Sequence, residues 1–358
     1  MKKFFSFILS FVLLLSCTAC SLFEPDLGRE FKNIIVVIGD GMGENHILNA
    51  IKQFDLDVPV FIQDQQGYIN TNSLSGLTDS AAGGTAMATG QKVYNGSISQ
   101  HEGVDLERIT DIAKAANMKT GIVTTDSLDG ATPATFSAHA YSRDYRAGII
   151  RTQAESNIDL LIGRSTSSYR ESYAELFTEA GYKIKKTPAE LLASKKSEKI
   201  LGVLFDIESQ YRLGNEDDFQ LKDMAEFAVK HLENKNGFFL MIESAYIDKL
   251  SSSNNLYDTL SETRSLFDTI AYLYEYASDG KTAIFITADH ETGGLQLAQT
   301  KDQLTNELYT TEEHTPVPVP LFVKNYAFDA TNFSYSAGVT PENTVIFEAC
   351  KAIIKGTK

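Results

Sequence analysis

The strongest structural signal in the sequence is the run Asn33-Ile34-Ile35-Val36-Val37-Ile38-Gly39, which Asp40 follows directly. The run is continuously apolar rather than alternating, which is typical of a strand buried on both faces of a parallel sheet. Ligands of open α/β sheets bind beyond the carboxyl ends of the strands, where Asp40 would lie. The run therefore predicts a buried central strand that ends at a binding site.

Similar apolar runs recur along the chain. They are Thr120–Thr125, Ile158–Gly163, Ile200–Phe205, Phe238–Glu243, Thr282–Thr287 and Val317–Val323. Helical spacing between Leu256 and Ala277 predicts a helix that stops at Asp279-Gly280, and Leu106 to Asn117 is a second candidate helix. This alternation favours an α/β fold, a three-layer α/β/α sandwich with a mostly parallel central sheet, as a single domain over residues 33–358. Ser165–Lys199 reads as a surface helix and loop region.

Composition narrows the functional classes. The 358 residues are 43% hydrophobic and 22% charged, as in globular proteins. The formal net charge of −15 argues against a nucleic-acid partner, because phosphate backbones attract basic surfaces. Carboxylates are instead the hard ligands that divalent metals prefer. Three cysteines do not make a disulfide scaffold, and Cys350 is expected to be a small buried residue.

The amino terminus predicts export. Two lysines precede an apolar segment that is typical of a signal peptide, which we assign to residues 1–19, with a polar tether at 20–32. The sequence around Cys17 and Cys20 resembles a bacterial lipoprotein cleavage box, and both registers fit, with Cys20 or Cys17 as the lipidated residue. A plain secretory signal is the alternative. The lipoprotein interpretation places the protein outside the cytoplasm, anchored by lipid to the outer face of a bacterial cell membrane.

Polar residues follow several of the predicted strands. They are Asp40, Glu243, Asp248, Asp289 and His290. The fold predicts that they converge at one edge of the sheet. Carboxylates a few Å apart repel one another at reduced dielectric unless positive charge neutralises them. The joint pattern therefore indicates divalent metals, whereas any one of these residues alone would read as a strand-end cap.

A second constellation runs from Thr78 to Ala86 around Asp79 and Ser80. A helix that begins here would direct backbone N–H groups at an anion, although serine and aspartate are also ordinary helix caps. The chain has no G-x-S-x-G elbow, which argues against a Ser-His-Asp hydrolase. A serine without a histidine base can still be activated by a metal.

Seven motifs together resemble the alkaline phosphatase family. In order they are Ile38–Gly43, Thr78–Ala82, Ala131–Ala134, Ser142-Arg143, Glu243 with Ile247–Lys249, Thr287–His290 and Glu313–Thr315. Members of that family are metal-dependent phosphomonoesterases with a three-layer α/β/α fold, usually with two zinc ions and one magnesium ion. The resemblance implies that this chain is an enzyme that hydrolyses phosphate monoesters, and the predicted signal peptide makes it an exported one. Relatives are commonly dimers, so a homodimer and a monomer both stay open for this chain, because no stretch of the sequence indicates a self-complementary face.

The resemblance implies a role for each matching residue. Ser80 matches the nucleophile that becomes a phosphoserine, Arg143 the guanidinium that clamps the phosphate, and Lys249 a basic group that acts through water. The matching metal ligands fall into three sites. They are Asp248 and His314 for the first zinc, Asp40, Asp289, His290 and the Ser80 hydroxyl for the second, and Asp40, Thr132 and Glu243 for magnesium.

Two departures from the family pattern bear on function. Ser252 stands where relatives carry the third ligand of the first zinc site, a histidine, and its loss weakens that site for Zn²⁺ and favours Mg²⁺ or Mn²⁺. Gly130 stands where relatives carry aspartate or histidine near magnesium, and Asp129 is the candidate to compensate. The alternatives are therefore a degenerate relative that binds phosphorylated ligands with little turnover, and a phosphodiesterase on the same fold.

The remaining histidines are not assigned to metals. His139 is expected to pack within a helix, and His46, His101 and His231 are expected on the surface or in loops.

Overall fold

The computed structural model describes residues 31–164, 171–204, 219–328 and 340–356. The predicted signal peptide, Cys17, Cys20 and nearly all of the tether lie outside these ranges and stay predictions. None of the helices within the described ranges is both long enough and apolar enough to span a membrane.

A nine-stranded sheet forms the centre of the molecule. Its strands are β1 (Asn33–Gly39), β2 (Gln65–Ile69), β5 (Lys119–Ser127), β6 (Leu160–Arg164), β7 (Tyr182–Lys185), β8 (Lys199–Leu204), β9 (Phe238–Ser244), β10 (Thr282–Thr287) and β13 (Val319–Lys324). They lie in the order β2-β13-β10-β1-β9-β5-β6-β8-β7. Only the pairings of β13 with β10 and β2 are antiparallel. The predicted α/β fold with a mostly parallel sheet is confirmed.

The central strands form the core because their residues are apolar on both faces. Every residue of β1, β9 and β10 is buried. Val36 of β1 pairs with Phe285 of β10 on one side and with Met241 of β9 on the other. This register aligns the carboxyl ends of the three strands at one edge of the sheet. The runs quoted from the sequence therefore locate the centre of the sheet correctly.

Eleven helices are described alongside the sheet. They are α1 (Glu44–Gln53), α2 (Ser80–Thr89), α3 (Ile109–Ala115), α4 (Ala131–Ser137), α5 (Arg146–Glu155), α6 (Glu171–Glu179), α7 (Pro188–Leu192), α8 (Leu221–Leu232), α9 (Tyr246–Ser251), α10 (Leu256–Tyr276) and α11 (Val345–Lys355). The described elements also include two short antiparallel strand pairs, β3 (Gln100–His101) with β4 (Val104–Asp105) and β11 (Glu291–Thr292) with β12 (His314–Thr315). Helix α10 runs as predicted, and Gly280 takes the left-handed φ of 74° just after it.

Some local expectations were wrong. Ser165–Lys199 contains the edge strand β7, whose sequence Tyr-Lys-Ile-Lys is only partly buried and lacks the apolar signal of a central strand. Helix α4 ends at Ser137, so His139 lies beyond it, where its Nδ1 contacts the Ser99 carbonyl at 2.8 Å.

Two histidines expected at the surface are buried. His46 of α1 is fully buried, and its Nδ1 accepts a hydrogen bond from the Gly43 N–H at 3.1 Å. His231 of α8 is also buried, with Nε2 2.9 Å from the Glu198 carbonyl. Both lie on the core-facing side of an amphipathic helix, which a histidine read in isolation does not reveal. The prediction of a buried Cys350 is confirmed.

Candidate active site

The sheet register brings the predicted strand-end residues together. Ile38 of β1 pairs with Glu243 of β9 and with Thr287 of β10. Asp40 and Asp289 each lie two residues beyond that level, on neighbouring strands. The parallel pairing of the strands therefore brings the carboxylates close together, although they are far apart in sequence.

Asp40, Asp289 and His290 form the first candidate group of metal ligands. His290 Nε2 lies 3.4 Å from Asp40 Oδ1 and 3.3 Å from Asp289 Oδ2. The backbone N–H groups of Gly41 and His290 hold Asp289 Oδ1, which leaves Asp289 Oδ2 without a hydrogen-bond partner among the described residues. All three side chains are buried.

Ser80 lies against this group at the amino end of α2. Its Oγ is 3.2 Å from His290 Nε2. The helix begins there because Asp79 caps it, accepting a hydrogen bond from the Ala82 N–H at 2.9 Å. The geometry thus brings a hydroxyl, two carboxylates and an imidazole to the positive end of a helix dipole.

Thr292 fixes the tautomer of His290, and sequence reasoning missed it. Its Oγ1 is 2.5 Å from Asp248 Oδ1 and 3.1 Å from His290 Nδ1. Because the hydroxyl has one proton and a carboxylate only accepts, Thr292 donates to Asp248 and accepts from His290 Nδ1–H. His290 Nε2 therefore carries the lone pair that faces Asp40, Asp289 and Ser80. The only sequence signal is its place two residues after His290.

A second candidate group consists of Asp248, His290 and His314. His314 Nδ1 lies 2.9 Å from the Thr78 carbonyl and must donate to it, which leaves Nε2 as the ligand atom, 3.6 Å from Asp248 Oδ1. The two imidazole rings stack with centroids 3.5 Å apart. Ser252 directly follows α9 and supplies no imidazole to this group. Among the described residues, the histidines that accompany Asp248 are His290 and His314.

Thr132 and Glu243 lie on the other side of Asp40. Thr132 is in the first turn of α4, and its Oγ1 is buried without a hydrogen-bond partner among the described residues. Glu243 is buried and accepts a hydrogen bond from Thr124 Oγ1. Burial, followed by the neighbouring charge of Asp126, raises the pKa of Glu243 to about 8.

Two basic side chains border the cluster. Arg143 Nη1 is 3.1 Å from Asp79 Oδ2, so the residue that caps α2 also orients the guanidinium. Lys249 Nζ is 2.5 Å from Asp126 Oδ1. The roles of Asp79 and Asp126 as partners were not predicted. Asp129, expected to compensate for Gly130, instead accepts from Ser127 Oγ at 2.5 Å and pairs with Arg146 at 3.0 Å.

The electrostatics of the cluster favour a bound cation. Burial raises the pKa of Asp40 well above its ordinary value, and the carboxylates of Asp289, Asp248 and Glu243 raise it further. Burial lowers the pKa of His290, which keeps the imidazole neutral. Buried oxygens of Asp40, Asp289 and Thr132 have no hydrogen-bond partner among the residues described. Neutral imidazole, carboxylate and hydroxyl oxygens are the donor set of zinc and magnesium sites, so these residues fit divalent cations.

Comparison with known proteins gives a consistent result. The sequence model of the family described as alkaline phosphatase matches residues 31–162 and 163–345. Alkaline phosphatase 3 of Bacillus subtilis is 31% identical over 290 residues, which cover 75% of this chain and 63% of that protein. The alkaline phosphatase of Escherichia coli K12 is 28% identical over 332 residues, covering 72% of this chain and 70% of that protein. The chain thus spans somewhat less than two thirds of the length of the Bacillus relative.

Solved structures match more completely. The alkaline phosphatase from the Antarctic bacterium TAB5 superposes with a TM-score of 0.77 at 28% identity, covering 91% of this chain and 99% of that one. A mutant of the TAB5 enzyme with Mg bound in its M3 site also has a TM-score of 0.77, at 26% identity and with 92% of this chain covered.

Proposed function

The chain belongs to the alkaline phosphatase family, whose members depend on metals, and from that premise we propose that it hydrolyses phosphate monoesters through a phosphoserine on Ser80. One observation carries the proposal. Ser80 Oγ lies at the amino end of α2, 3.2 Å from His290 Nε2, beside Asp40 and Asp289. Phosphoryl transfer requires alignment for in-line attack and compensation of negative charge, and the end of α2 together with cations held by Asp40, Asp289 and His290 would supply positive charge beside this hydroxyl.

Three cation sites follow from the donor atoms. Asp40, Asp289 and His290 suit zinc, and Asp40, Thr132 and Glu243 suit magnesium. Asp248 and His314, with Ser252 in place of histidine, suit Mn²⁺ or Mg²⁺ better than Zn²⁺. When bound, the cations supply the positive charge that activates an oxygen nucleophile and stabilises a leaving oxygen.

The side chains around Ser80 have complementary tasks. Arg143 offers planar donors to the phosphate, and Asp79 holds the guanidinium in place while it caps α2. The first backbone N–H groups of α2 add further donors for an anion. As the bond from Ser80 Oγ to phosphorus forms, the bond from phosphorus to the substrate's alcohol oxygen breaks. Water then cleaves the Oγ–phosphorus bond, which releases inorganic phosphate and restores the hydroxyl.

Hydrolysis of p-nitrophenyl phosphate tests the proposal. We expect turnover by the wild-type chain that a chelator abolishes, and a loss of roughly a thousandfold or more in Ser80→Ala. The matched control is Ser194→Ala, whose hydroxyl donates to the Glu190 carbonyl at the surface. Turnover that persists in chelator, or equal rates for Ser80→Ala and Ser194→Ala, would contradict the proposal.

The replacement of histidine by Ser252 favours a second candidate function, that of a phosphate-binding relative with little turnover. It predicts that the wild-type chain binds inorganic phosphate without hydrolysing the ester and that Ser252→His gains activity with zinc. The phosphatase proposal instead predicts that wild type is active with Mn²⁺ or Mg²⁺, and that Ser252→His shifts its preference towards Zn²⁺. Assays of both proteins after reconstitution with each metal separate the two.

We also propose export and lipid attachment, supported by the amino-terminal sequence alone. Expression of the full chain in a bacterium, followed by fractionation, should place it with the membrane. Cys20→Ala and Cys17→Ala made separately should identify the anchoring residue by release of the protein. A membrane fraction unchanged in the double variant would reject lipid attachment.

A further inference from the structure

His46 joins the loop after β1 to the end of helix α9 inside the protein. The backbone N–H of Gly43 donates to its Nδ1 at 3.1 Å, and its Nε2 lies 3.0 Å from the Ser251 hydroxyl oxygen. Both His46 and Ser251 are completely buried. The imidazole therefore bridges two segments that carry candidate cation ligands, Asp40 in the first and Asp248 in the second.

The hydrogen-bond partners of this bridge determine where its protons lie. A backbone N–H only donates, so Nδ1 of His46 carries the lone pair and the proton of the neutral ring is on Nε2. The Ser251 hydroxyl donates to the Ile247 carbonyl at 2.7 Å, because a carbonyl oxygen only accepts. Ser251 Oγ therefore accepts the hydrogen bond from His46 Nε2–H, and each donor of the bridge has an acceptor.

Helix α9 depends on such contacts for its orientation. It has only six residues, and a helix this short is not stable by itself in water. Asp248 lies in this helix about one turn before Ser251. The contact between Ser251 and His46 therefore fixes the backbone from which the carboxylate of Asp248 extends. Thr292, by contrast, bonds the carboxylate itself.

Tyr309 closes the space around Ser251 on the side of α10. Its hydroxyl oxygen lies 3.0 Å from Thr259 Oγ1 and 3.4 Å from Ser251 Oγ. Its ring lies against Gly293, where a Cβ would be 2.5 Å from the Cδ1 atom of Tyr309. Because Ser251 and Thr259 are completely buried and Tyr309 nearly so, losing a hydrogen bond here leaves a polar group without a partner rather than in contact with solvent.

We propose that His46 is a positioning residue for a cation site. Through Ser251 it orients Asp248, and it thereby sets the affinity for a divalent cation of the site that Asp248 forms with His314. This inference rests on the proposed function for the identity of that site. Ser252 supplies no imidazole there, so the affinity depends strongly on how well the remaining ligands are placed. A histidine that only stabilised the fold would affect this site no more than the rest of the protein.

Two amide variants of His46 separate its two contacts. His46→Asn keeps an acceptor for the Gly43 N–H but is too short to reach Ser251. His46→Gln extends far enough to donate to Ser251 in place of Nε2–H and gives up the bond to Gly43. We expect the Mn²⁺ affinity of the site to fall about tenfold or more in His46→Asn and to stay within about threefold of wild type in His46→Gln.

Electron paramagnetic resonance of the full, metal-stripped chain measures this affinity, because free Mn²⁺ gives a signal that bound Mn²⁺ largely loses. The Mn²⁺ ion that disappears from the titration of His314→Ala identifies the site. The control is His231→Asn, which removes another buried histidine, one whose Nε2 lies 2.9 Å from the Glu198 carbonyl before β8, at the opposite end of the strands. This variant should lower the free energy of unfolding without changing the Mn²⁺ affinity.

Equal Mn²⁺ affinities of His46→Asn and His46→Gln would overturn the inference, because the contact with Ser251 would then not matter to the site. If His46→Asn does not fold, Ser251→Ala takes its place. We expect the same loss of affinity in that variant, and wild-type affinity would overturn the inference.

Equal Mn²⁺ titrations of wild type and His314→Ala would overturn the inference as well, since the site would then not exist. Phosphatase assays of the same proteins test the proposed function separately. A wild type that binds Mn²⁺ at this site but does not hydrolyse the ester would overturn only that function.

Discussion

Thr292 connects the two groups of candidate ligands through a single hydroxyl. It donates to Asp248 and accepts from His290, so it sets the direction of one ligand and the tautomer of the other. Partners of this kind commonly change metal affinity by about 10–100-fold when they are removed. They are hard to find in a sequence, because threonine is common and nothing in its spacing distinguishes this one.

We therefore expect Thr292→Val to lower the zinc affinity of the metal-stripped chain by about 10–100-fold, while Thr292→Ser, which keeps the hydroxyl, stays near wild type. Valine has nearly the same shape, so packing against Gly41 is preserved. Competitive zinc titration with a coloured chelator measures the effect. Equal affinities for the valine and serine variants would show that the hydroxyl does not orient the ligands.

His46 gives a prediction of pH dependence. Burial lowers the pKa of this imidazole to about 4, below the 6.5 of an exposed histidine. The folded state thus binds fewer protons than the unfolded state between these values, and stability falls as the pH drops from about 6.5 to about 4. Once the pH has fallen below both pKa values, this shift has lowered the free energy of unfolding by about 3 kcal/mol.

In His46→Asn this acid-induced loss should be smaller, because asparagine does not titrate and its amide oxygen can accept from the Gly43 N–H in place of Nδ1. Urea unfolding of the metal-stripped proteins at pH 7, 5.5 and 4.5 measures the difference in the free energy of unfolding. The free energy of unfolding of the variant should rise relative to that of wild type as the pH falls. A gap that is constant across the three pH values would rule out titration of His46 as the cause.

Among the secondary-structure elements, the approach of α2 to the strand-end loop positions Ser80. Gly83 has no side chain there, and a Cβ on it would lie 2.8 Å from the Asp289 carbonyl oxygen. That oxygen belongs to the backbone that carries two of the candidate ligands, Asp289 and His290. The helix is therefore seated by contact between backbones, and a glycine inside a helix has a packing reason despite its poor propensity.

Gly83→Ala should consequently destabilise the protein by about 1–3 kcal/mol, although alanine is the better helix former, and should reduce phosphatase activity by displacing Ser80 from His290. The control is Gly148→Ala in α5, where the three atoms nearest to the new methyl group all belong to the exposed ring of Tyr145, which can move. Thermal unfolding and kcat/KM measure the two effects. An active and fully stable Gly83→Ala would show that the close approach is not required.

Whether a strand can be predicted from the sequence depends on its position in the sheet. Strands β1, β9 and β10 are buried along their whole length and mostly apolar, because neighbouring strands and helices cover them, so their runs are easily recognised in the sequence. The edge strands β2 and β7 face solvent along one side and need no such run, and neither was predicted. The site residues likewise fall into those that the sequence predicts and those that it does not. Residues at the ends of buried strands were found, whereas Thr292 and Asp126 act only through neighbours that folding brings to them.

Across the molecule, the cation cluster joins distant parts of the chain, since Asp40 and Asp289 meet only when β1 and β10 pair. Without a cation, their proximity opposes folding, as the raised pKa of Asp40 indicates. With a cation that binds the folded state alone, stability rises by about 2.7 kcal/mol at a free concentration one hundred times the dissociation constant. Metal binding and global stability are therefore linked.

Asp40→Asn should separate these two contributions. Asparagine keeps the shape of the side chain but removes one of the repelling charges, so the metal-stripped variant should unfold at a higher temperature than metal-stripped wild type. The variant should also lose most of the stabilisation that zinc and magnesium give to wild type, because its amide is a poorer ligand than a carboxylate. Scanning calorimetry of both proteins with and without the metals makes the comparison, with the remote variant Ser194→Ala as control. If Asp40→Asn were less stable than wild type without metal and still stabilised by it to the same degree, Asp40 would be a structural residue and the cation cluster would lie elsewhere.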